Sequence, residues 1–174
     1  MQRISGAAWS GEAHQPLVTR PGRDQHGAMA FDVERLLRLW THALPEDDEA
    51  AAASFRELYT DPVTINGNAL TVPDLVARAR RAQQALAEPE REVLAVVDAG
   101  DTVAVAFRLA GRQVGPLDTP AGPVPATGRR IDVRVIDVLT LADGRIASIW
   151  MVADWLSALA AVDALTVAQG PRPG

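Results

Sequence analysis

The chain of 174 residues contains no cysteine and no lysine, so all its basic side chains apart from histidine are arginines. Disulfide bonds, thiolate nucleophiles and thiolate metal ligands are therefore excluded, as is Schiff-base chemistry on a lysine amine. Histidine is scarce, with His14 and His26 near the start of the chain and His42 further on. A Ser-His-Asp triad would have to use His42, and the domain cannot hold a multi-histidine metal site. Carboxylates, hydroxyls and aromatic side chains remain to carry any chemistry.

A concentration of charge of one sign and a long apolar run are also missing. The formal net charge is −5 and the arginines are scattered, which disfavours nucleic-acid binding because phosphates need a basic face. No stretch approaches the roughly 18 uninterrupted apolar residues of a membrane span. Residues 1–29 carry Arg, Glu, His and Pro where a secretion signal has its apolar segment. The sequence therefore predicts a cytoplasmic protein with neither a membrane nor a nucleic-acid partner.

The residue patterns divide the chain into one domain and two flanking segments. Residues 1–30 are rich in Gly, Pro, Arg and Gln without periodicity, and are predicted to be a disordered leader. Residues 168–174 resemble them and are predicted to be a disordered tail. The length of the remaining segment, 31–167, predicts a single domain with a sizeable core.

Within that domain, helical periodicity gives way to strand periodicity. Three amphipathic segments predict helices that begin after Asp32, at Pro45 and after Thr71. From about Arg91 the apolar period changes to two, which predicts long antiparallel strands, with a Gly- and Pro-rich loop over 115–130. Helices followed by a meander of strands are typical of an α+β domain in which helices pack across a curved sheet.

The last predicted hairpin places two aspartates in apolar surroundings. A two-residue turn at Asp143-Gly144 sets a register in which Asp137 lies opposite Trp150 and Asp154 opposite Val133. This face is mostly apolar, so it is predicted to be the inner one. The strand rise separates the two carboxylates by about 13 Å, too far to share a proton. A partly desolvated aspartate has its pKa raised toward neutrality, which suits a general acid or base.

The two aspartates and the tryptophans also have structural interpretations. Asp154 precedes the helical segment "WLSALAAVDAL", and aspartate is a preferred N-cap worth about 1 kcal/mol over alanine. Asp137 could instead be a buried polar group bonded to Arg134, Arg108 or the Tyr59 hydroxyl. Tryptophans, for their part, more often belong to a core than to a substrate platform.

Several motifs in the second half of the chain have a shared order and spacing. They are Gly111 and Gly115 at the end of a strand, the Pro-x-Thr-Gly-Arg loop from Pro125, Asp137, the Asp143-Gly144-Arg145-Ile146 turn, Trp150 and Asp154. In this order the chain resembles the SnoaL-like polyketide cyclase and ester cyclase group of the NTF2-like superfamily. The likeness covers roughly Leu36 to Leu165.

The resemblance implies a fold and an activity. The fold is an NTF2-like α+β cone, a bent antiparallel sheet wrapped by about three helices around an apolar pocket. The activity is aldol-type ring closure of a polyketide-type, carbonyl-rich apolar substrate in antibiotic biosynthesis, without metal or cofactor and with Asp154 as acid/base. A homodimer or higher homo-oligomer is also implied. The chain departs from the family pattern at Gln113, where a histidine is common, and at Ser148, where a glutamate is common.

The candidate site follows from both lines of reasoning. Asp154 is the predicted acid/base, and Asp137 and Gln113 are predicted to orient or polarise the substrate. The residues predicted to form the pocket wall are Trp150, Phe107, Trp40 and Tyr59. Two alternatives are a different NTF2-like enzyme, an epoxide hydrolase or an isomerase, and a non-catalytic small-molecule-binding protein in which Asp154 only caps its helix.

Overall fold

The computed structural model describes residues 31–166, so the predictions made for the leader and the tail lie outside the described residues. Four helices and eight strands are formed, and none of these helices combines the length and apolar character needed to cross a bilayer. Their bounds are α1 Val33–Thr41, α2 Asp48–Arg56, β1 Tyr59–Ile65, β2 Asn68–Leu70, α3 Val72–Ala85, β3 Leu86–Asp98, β4 Thr102–Gln113, β5 Leu117–Thr119, β6 Gly122–Val124, β7 Arg130–Ala142, β8 Arg145–Ala153 and α4 Trp155–Ala161.

Six of the strands form one sheet in the order β2-β1-β8-β7-β4-β3. The pairs β3–β4, β4–β7 and β7–β8 are antiparallel and form the meander that the period of two predicts. The α+β class is confirmed. The sheet differs from the predicted one in a single detail, because β1 runs parallel to β8, which makes the sheet mixed rather than antiparallel throughout.

Polar side chains fix the starts of the helices. The Asp32 carboxylate accepts a hydrogen bond from the Arg35 backbone N–H at 2.8 Å, and Thr71 forms a capping box with Asp74. Both predicted N-caps are confirmed. The second helix begins at Asp48 rather than at Pro45, because Asp47 caps it by accepting from a backbone N–H.

Apolar side chains beneath the sheet form two groups, which we call the main cluster and the C-terminal cluster. The main cluster joins the inner face of the sheet to α1, α2 and α3. The C-terminal cluster is covered by Ala85 at the end of α3 and by Ala158 of α4. Phe107 of β4 packs against both. The members of the C-terminal cluster are Ala85, Leu117, Ile131, Val133, Val135, Ala158 and Val162.

The register of the last hairpin changes by one residue at Ala147. The pairs next to the turn, Ala142–Arg145 and Leu141–Ile146, are those that the Asp143-Gly144 turn predicts. Beyond them Thr140 pairs with Ser148, so Ala147 is an extra residue in β8 and forms a β-bulge. A slip of one residue moves every later side chain of the strand to the other face.

The predicted partners beyond the bulge are therefore wrong. Asp137 lies opposite Met151 rather than Trp150, and the Asp154 backbone N–H donates to the Arg134 carbonyl at 2.9 Å. Trp150 pairs with Val138 on the outer face of the sheet and is 64% exposed.

A short hairpin stands where the Gly- and Pro-rich loop was predicted. Strands β5 and β6 pair with each other, and Leu117 of β5 is buried in the C-terminal cluster. The hairpin leaves β4 through Gly115, where a Cβ atom would stand 2.6 Å from the Gln84 carbonyl oxygen. Glycine is needed there because the two backbones approach too closely for any side chain.

Candidate active site

Asp137 is a buried carboxylate on the inner face of β7. Its neighbours across the sheet are Val105 on β4 and Met151 on β8. The residue is 8% exposed, and its Oδ1 atom has no hydrogen-bond partner among the described residues. Burial raises the pKa of Asp137 from 3.8 to about 7 because the charged form loses its hydration. A carboxyl group with this pKa can exchange a proton near neutral pH.

None of the structural partners considered for Asp137 bonds to it. Arg108 donates to Asp132 instead, at 2.8 Å, and Arg134 is exposed. The Tyr59 hydroxyl accepts from the Trp40 indole N–H. The interpretation of Asp137 as a bonded structural residue is therefore wrong for the described residues.

The position of Asp137 coincides with the boundary between the two apolar clusters. Its neighbours Leu139 and Val105 belong to the main cluster, whereas Val135, two residues before it on the same face, belongs to the C-terminal cluster. Phe107 bridges the clusters from β4 and pairs with Val135. A carboxyl group with an unpartnered oxygen thus lies among apolar side chains.

Tyr59 and Trp40 form a polar pair within the main cluster. The Trp40 indole N–H donates to the Tyr59 hydroxyl at 2.9 Å, and Phe55 contacts both rings, edge-on to Trp40 with centroids 5.8 Å apart. Burial raises the pKa of the Tyr59 hydroxyl, the Trp40 bond partly offsets this, and the charge of Asp137 raises it further. Tyr59 is 1% exposed, so it remains a neutral phenol at physiological pH.

Asp154 lies at the surface and not in the interior. Its carboxylate accepts from the Ser157 backbone N–H at 3.1 Å and caps α4. This hydrogen bond, together with the nearby charge of Arg134, holds the pKa of Asp154 below its usual range. The expectation that Asp154 faces a dry interior is therefore wrong, and the helix-cap interpretation is confirmed. The bulge that turned Trp150 outward accounts for the error.

Gln113 is fully buried, but its amide is engaged by the β5–β6 hairpin. Its Nε2 atom donates to the carbonyls of Val124 and Pro125 at 3.1 and 3.0 Å, and its Oε1 atom accepts from the Thr127 hydroxyl at 2.7 Å. Eight residues of β4 separate Gln113 from Val105, the neighbour of Asp137, or about 26 Å of strand. The structure thus does not bring Gln113 together with Asp137.

The structure therefore groups some of the predicted residues and separates others. Asp137 and Phe107 share the inner face, and Tyr59 and Trp40 belong to the same apolar interior. Trp150, Asp154 and Gln113 lie elsewhere. Val105 and Met151 flank Asp137 and were missed as site residues. The alternation of β4 marked Val105 as inward-facing, but nothing in the sequence marked the bulge that brings Met151 to this face.

Neither of the two cavities that stand out among residues 31–166 is lined by Asp137 or Asp154, so neither is the apolar pocket that the resemblance implies. One of about 260 Å³ lies between α1 and the start of α2, and one of about 20 Å³ lies beside Trp40 and Leu109. Among residues 31–166, no three His, Asp or Glu side chains are grouped as ligands for a metal ion.

Comparison with known proteins places the chain in a family. The sequence profile of the SnoaL-like polyketide cyclases matches residues 34–162, whereas a comparison with curated proteins found no match.

Solved structures are similar over most of their length. A proposed SnoaL-like polyketide cyclase from Jannaschia sp. CCS1 is 28% identical, with a TM-score of 0.62 over 83% of this chain and 100% of that one. TsrD from Streptomyces laurentii is 25% identical, with a TM-score of 0.59 over 77% and 98%. IdmH from Streptomyces antibioticus, a proposed polyketide cyclase, is 20% identical, with a TM-score of 0.55 over 75% and 96%, and shares the fold.

These similarities confirm the NTF2-like α+β cone that the sequence predicts. The matched segment contains Asp137 and every element from α1 to α4. The chain belongs to the SnoaL-like polyketide cyclase family.

Proposed function

We propose that the protein is a cofactor-independent cyclase that closes a ring in a polyketide-type, carbonyl-rich apolar substrate, with Asp137 as its acid/base. The observation that carries this proposal is the Asp137 carboxyl group, which is buried among apolar side chains and has an unpartnered Oδ1. Family membership supports the same class of substrate. Phe107, Val105 and Met151 supply apolar surface beside the carboxylate.

The chemistry requires one group that takes a proton and later returns it. The Asp137 carboxylate removes the acidic proton from a carbon between two carbonyl groups, and the electron pair of the C–H bond passes to a carbonyl oxygen to form an enolate. The enolate carbon attacks a second carbonyl carbon of the same molecule, which forms the ring bond and an alkoxide. Protonated Asp137 then gives its proton to that alkoxide. A pKa near 7 suits both directions of transfer.

Asp154, the acid/base that the resemblance implies, is less suited to this task in the structure. Its carboxylate is exposed, is occupied by the Ser157 backbone N–H, and has a lowered pKa, so it is a weak base. Its catalytic role stays a prediction, and one experiment compares the two aspartates.

The variants Asp137→Asn and Asp154→Asn form a matched pair, since each replaces a carboxylate by an amide of the same shape. Both are incubated in heavy water with a synthetic β-polyketone ester. Mass spectrometry follows deuterium uptake at the carbon between two carbonyls, and NMR follows ring closure. We expect Asp137→Asn to lose on the order of 10²–10⁴-fold in both rates, and Asp154→Asn, whose asparagine still caps α4, to retain them within a few-fold.

Each other outcome points to a different function. Loss of activity only in Asp154→Asn would assign the base to Asp154 and refute the proposal. Saturable binding without exchange or product would support a non-catalytic binding protein. With an alkyl epoxide as the substrate instead, a product heavier by one water would support an epoxide hydrolase, and with a β,γ-unsaturated ketone, migration of the double bond at unchanged mass would support an isomerase. A cytoplasmic location and a role in antibiotic biosynthesis stay predictions from the sequence.

We also propose that the protein assembles as a homodimer through the outer face of its sheet. This face carries an apolar patch four strands wide, in which Ile136 pairs with Val152 and Val138 with Trp150. Val152 is 71% exposed and Ile136 53%. Polar side chains border the patch at both ends of the strands. They are Glu92, Arg108 and Arg134 at one end and Thr102, Thr140 and Ser148 at the other. Exposed apolar patches with polar rims are typical of protein interfaces.

A second copy is the partner that fits, because a patch that is apolar throughout is complementary to itself. Sedimentation velocity tests this with Val152→Glu, which places a charge within the patch at its most exposed apolar residue and should give a monomer. Leu156→Glu is the matched control, since Leu156 is 67% exposed on α4, outside the sheet, and should leave the dimer intact. A monomeric unmodified protein, or dimers in both variants, would contradict this proposal.

A further inference from the structure

The cavity between α1 and the α1–α2 loop lies outside the core and serves no part of the proposed reaction. Its volume is about 260 Å³, just below the range of about 300–1,000 Å³ that is usual for pockets of drug-sized ligands. One wall is formed by Arg35, Arg38, Leu39 and His42, which are three to four residues apart and share one face of α1. The opposite wall is the loop from Ala43 to Pro45.

The lining of this groove is positively charged in a chain that is acidic overall. Two guanidinium groups and one imidazole line the groove, and no carboxylate does, although the formal net charge of the chain is −5. Arg35 forms an ion pair with Glu57, whereas Arg38 forms no ion pair within residues 31–166. The groove therefore offers at least one uncommitted guanidinium group to an anion.

Hydrogen bonds at the end of α1 settle which nitrogen of His42 is available. The Thr41 hydroxyl donates its hydrogen to the Leu37 carbonyl at 2.9 Å, so it can only accept from the His42 Nδ1 atom, 3.1 Å away. Nδ1 therefore carries a hydrogen, and Nε2, the ring nitrogen left for a ligand, donates to an anion only in the doubly protonated ring. Two carbonyls of the last turn, which would repel an anion, already accept hydrogen bonds: that of Arg38 from the His42 backbone N–H and that of Leu39 from the Gln83 side-chain amide, both at 2.9 Å.

Contacts with α3 and with the main cluster fix the position of the apolar residues of the groove. Arg80 of α3 donates to the carbonyls of Pro45 and Glu46 at 2.9 and 3.0 Å and forms an ion pair with Asp48. Leu39 and Leu44 pack against the main cluster. A fixed wall lowers the entropy that a ligand loses on binding.

We propose that this groove is a binding site for a small organic carboxylate. The carboxylate accepts hydrogen bonds from the Arg38 guanidinium and, when the imidazole is doubly protonated, from His42 Nε2–H. Its apolar body lies against Leu39, Leu44 and Pro45. Guanidinium matches a carboxylate through two parallel hydrogen bonds, and the small volume limits the body to about the size of one ring. The proposal is independent of the cyclase reaction and of Asp137.

The experiment uses the full chain, labelled with ¹⁵N, and three probes. Benzoate has the proposed chemistry, inorganic phosphate keeps the anion without the apolar body, and benzyl alcohol keeps the ring without the charge. We expect benzoate to shift the amide signals of 38–44 saturably in the millimolar range, benzyl alcohol to cause no such shift, and phosphate to bind several-fold more weakly than benzoate.

Three variants test the residues. Arg38→Gln should weaken benzoate binding at least about tenfold, the equivalent of about 1.4 kcal/mol, and His42→Gln several-fold. Arg145→Gln, which removes a charge from an exposed arginine at the start of β8, should change nothing. Both groove variants alter exposed side chains, and unchanged signals elsewhere will show that they fold. Phosphate binding tighter than benzoate, equal weakening by Arg145→Gln, or shifts spread over the whole surface would overturn the proposal.

Discussion

Replacing Asp137 by asparagine should change how stability depends on pH. The difference between a folded-state pKa of about 7 and the ordinary value of 3.8 corresponds to about 4 kcal/mol. Because the folded protein favours the protonated carboxyl group, the wild-type free energy of unfolding is not reduced by this group below about pH 4. It falls as the pH rises, and the full penalty is present above about pH 7. Small domains are stable by about 5–15 kcal/mol in total, so the effect is large.

Urea unfolding at a series of pH values measures this effect. Asparagine does not titrate, and any cost of burying its unpaired amide is the same at every pH. The stability of Asp137→Asn relative to the wild type should therefore rise by about 4 kcal/mol between about pH 4 and pH 7.5. Asp154→Asn gives the opposite sign, because the lowered pKa of Asp154 adds stability above its unfolded-state pKa that is lost as the pH falls. Parallel curves for the wild type and Asp137→Asn would refute the burial argument.

Three further substitutions probe the scaffold. Gln113→Leu removes the amide that holds the β5–β6 hairpin and should lower the free energy of unfolding in urea by about 1–3 kcal/mol. Hydrogen exchange at the Gly128 amide should become faster. A catalytic role of Gln113 would instead appear as lost turnover at unchanged stability. Asn66→Ala removes two hydrogen bonds between the side-chain amide and the Met151 backbone, at 2.8 and 3.0 Å, and should cost about 1–2 kcal/mol by the same assay; no change would show that water replaces them. Deletion of Ala147 removes the bulge but leaves the later pairs, among them Val138–Trp150, on their present faces, so unfolding should stay cooperative; a Trp150 side chain moved into the interior would contradict this register.

The sequence predicted the elements of the fold better than their alignment. The helix caps at Asp32 and Thr71 were predictable because side-chain capping is a local interaction. The pairing of Ala142 with Arg145 was predictable because a two-residue turn fixes its nearest neighbours. A bulge is set by long-range packing, and nothing in an alanine at position 147 indicates one.

This single bulge explains most of the errors at the site. The regular register placed Asp137 and Asp154 on one inner face with Trp150, whereas the observed register leaves Asp137 there alone. The burial of Asp137 was still predictable, because its strand alternates apolar and polar residues on the correct period. Gln113 was predicted to act on the substrate because its contacts with Val124 and Pro125 depend on a hairpin that the Gly- and Pro-rich segment did not reveal.

The division of the interior into two clusters has a consequence for the local stability of the fold around Asp137. The main cluster is fastened by three helices, but the C-terminal cluster depends on α4, a helix of seven residues in which Ala158 and Leu159 are buried. Such a weakly anchored unit unfolds locally at a lower free energy than the rest of the molecule. Transient detachment of α4 would expose Val135 and the adjoining aspartate while the other helices keep their packing. The end of the domain next to Asp137 is therefore expected to open locally at a lower free energy than global unfolding.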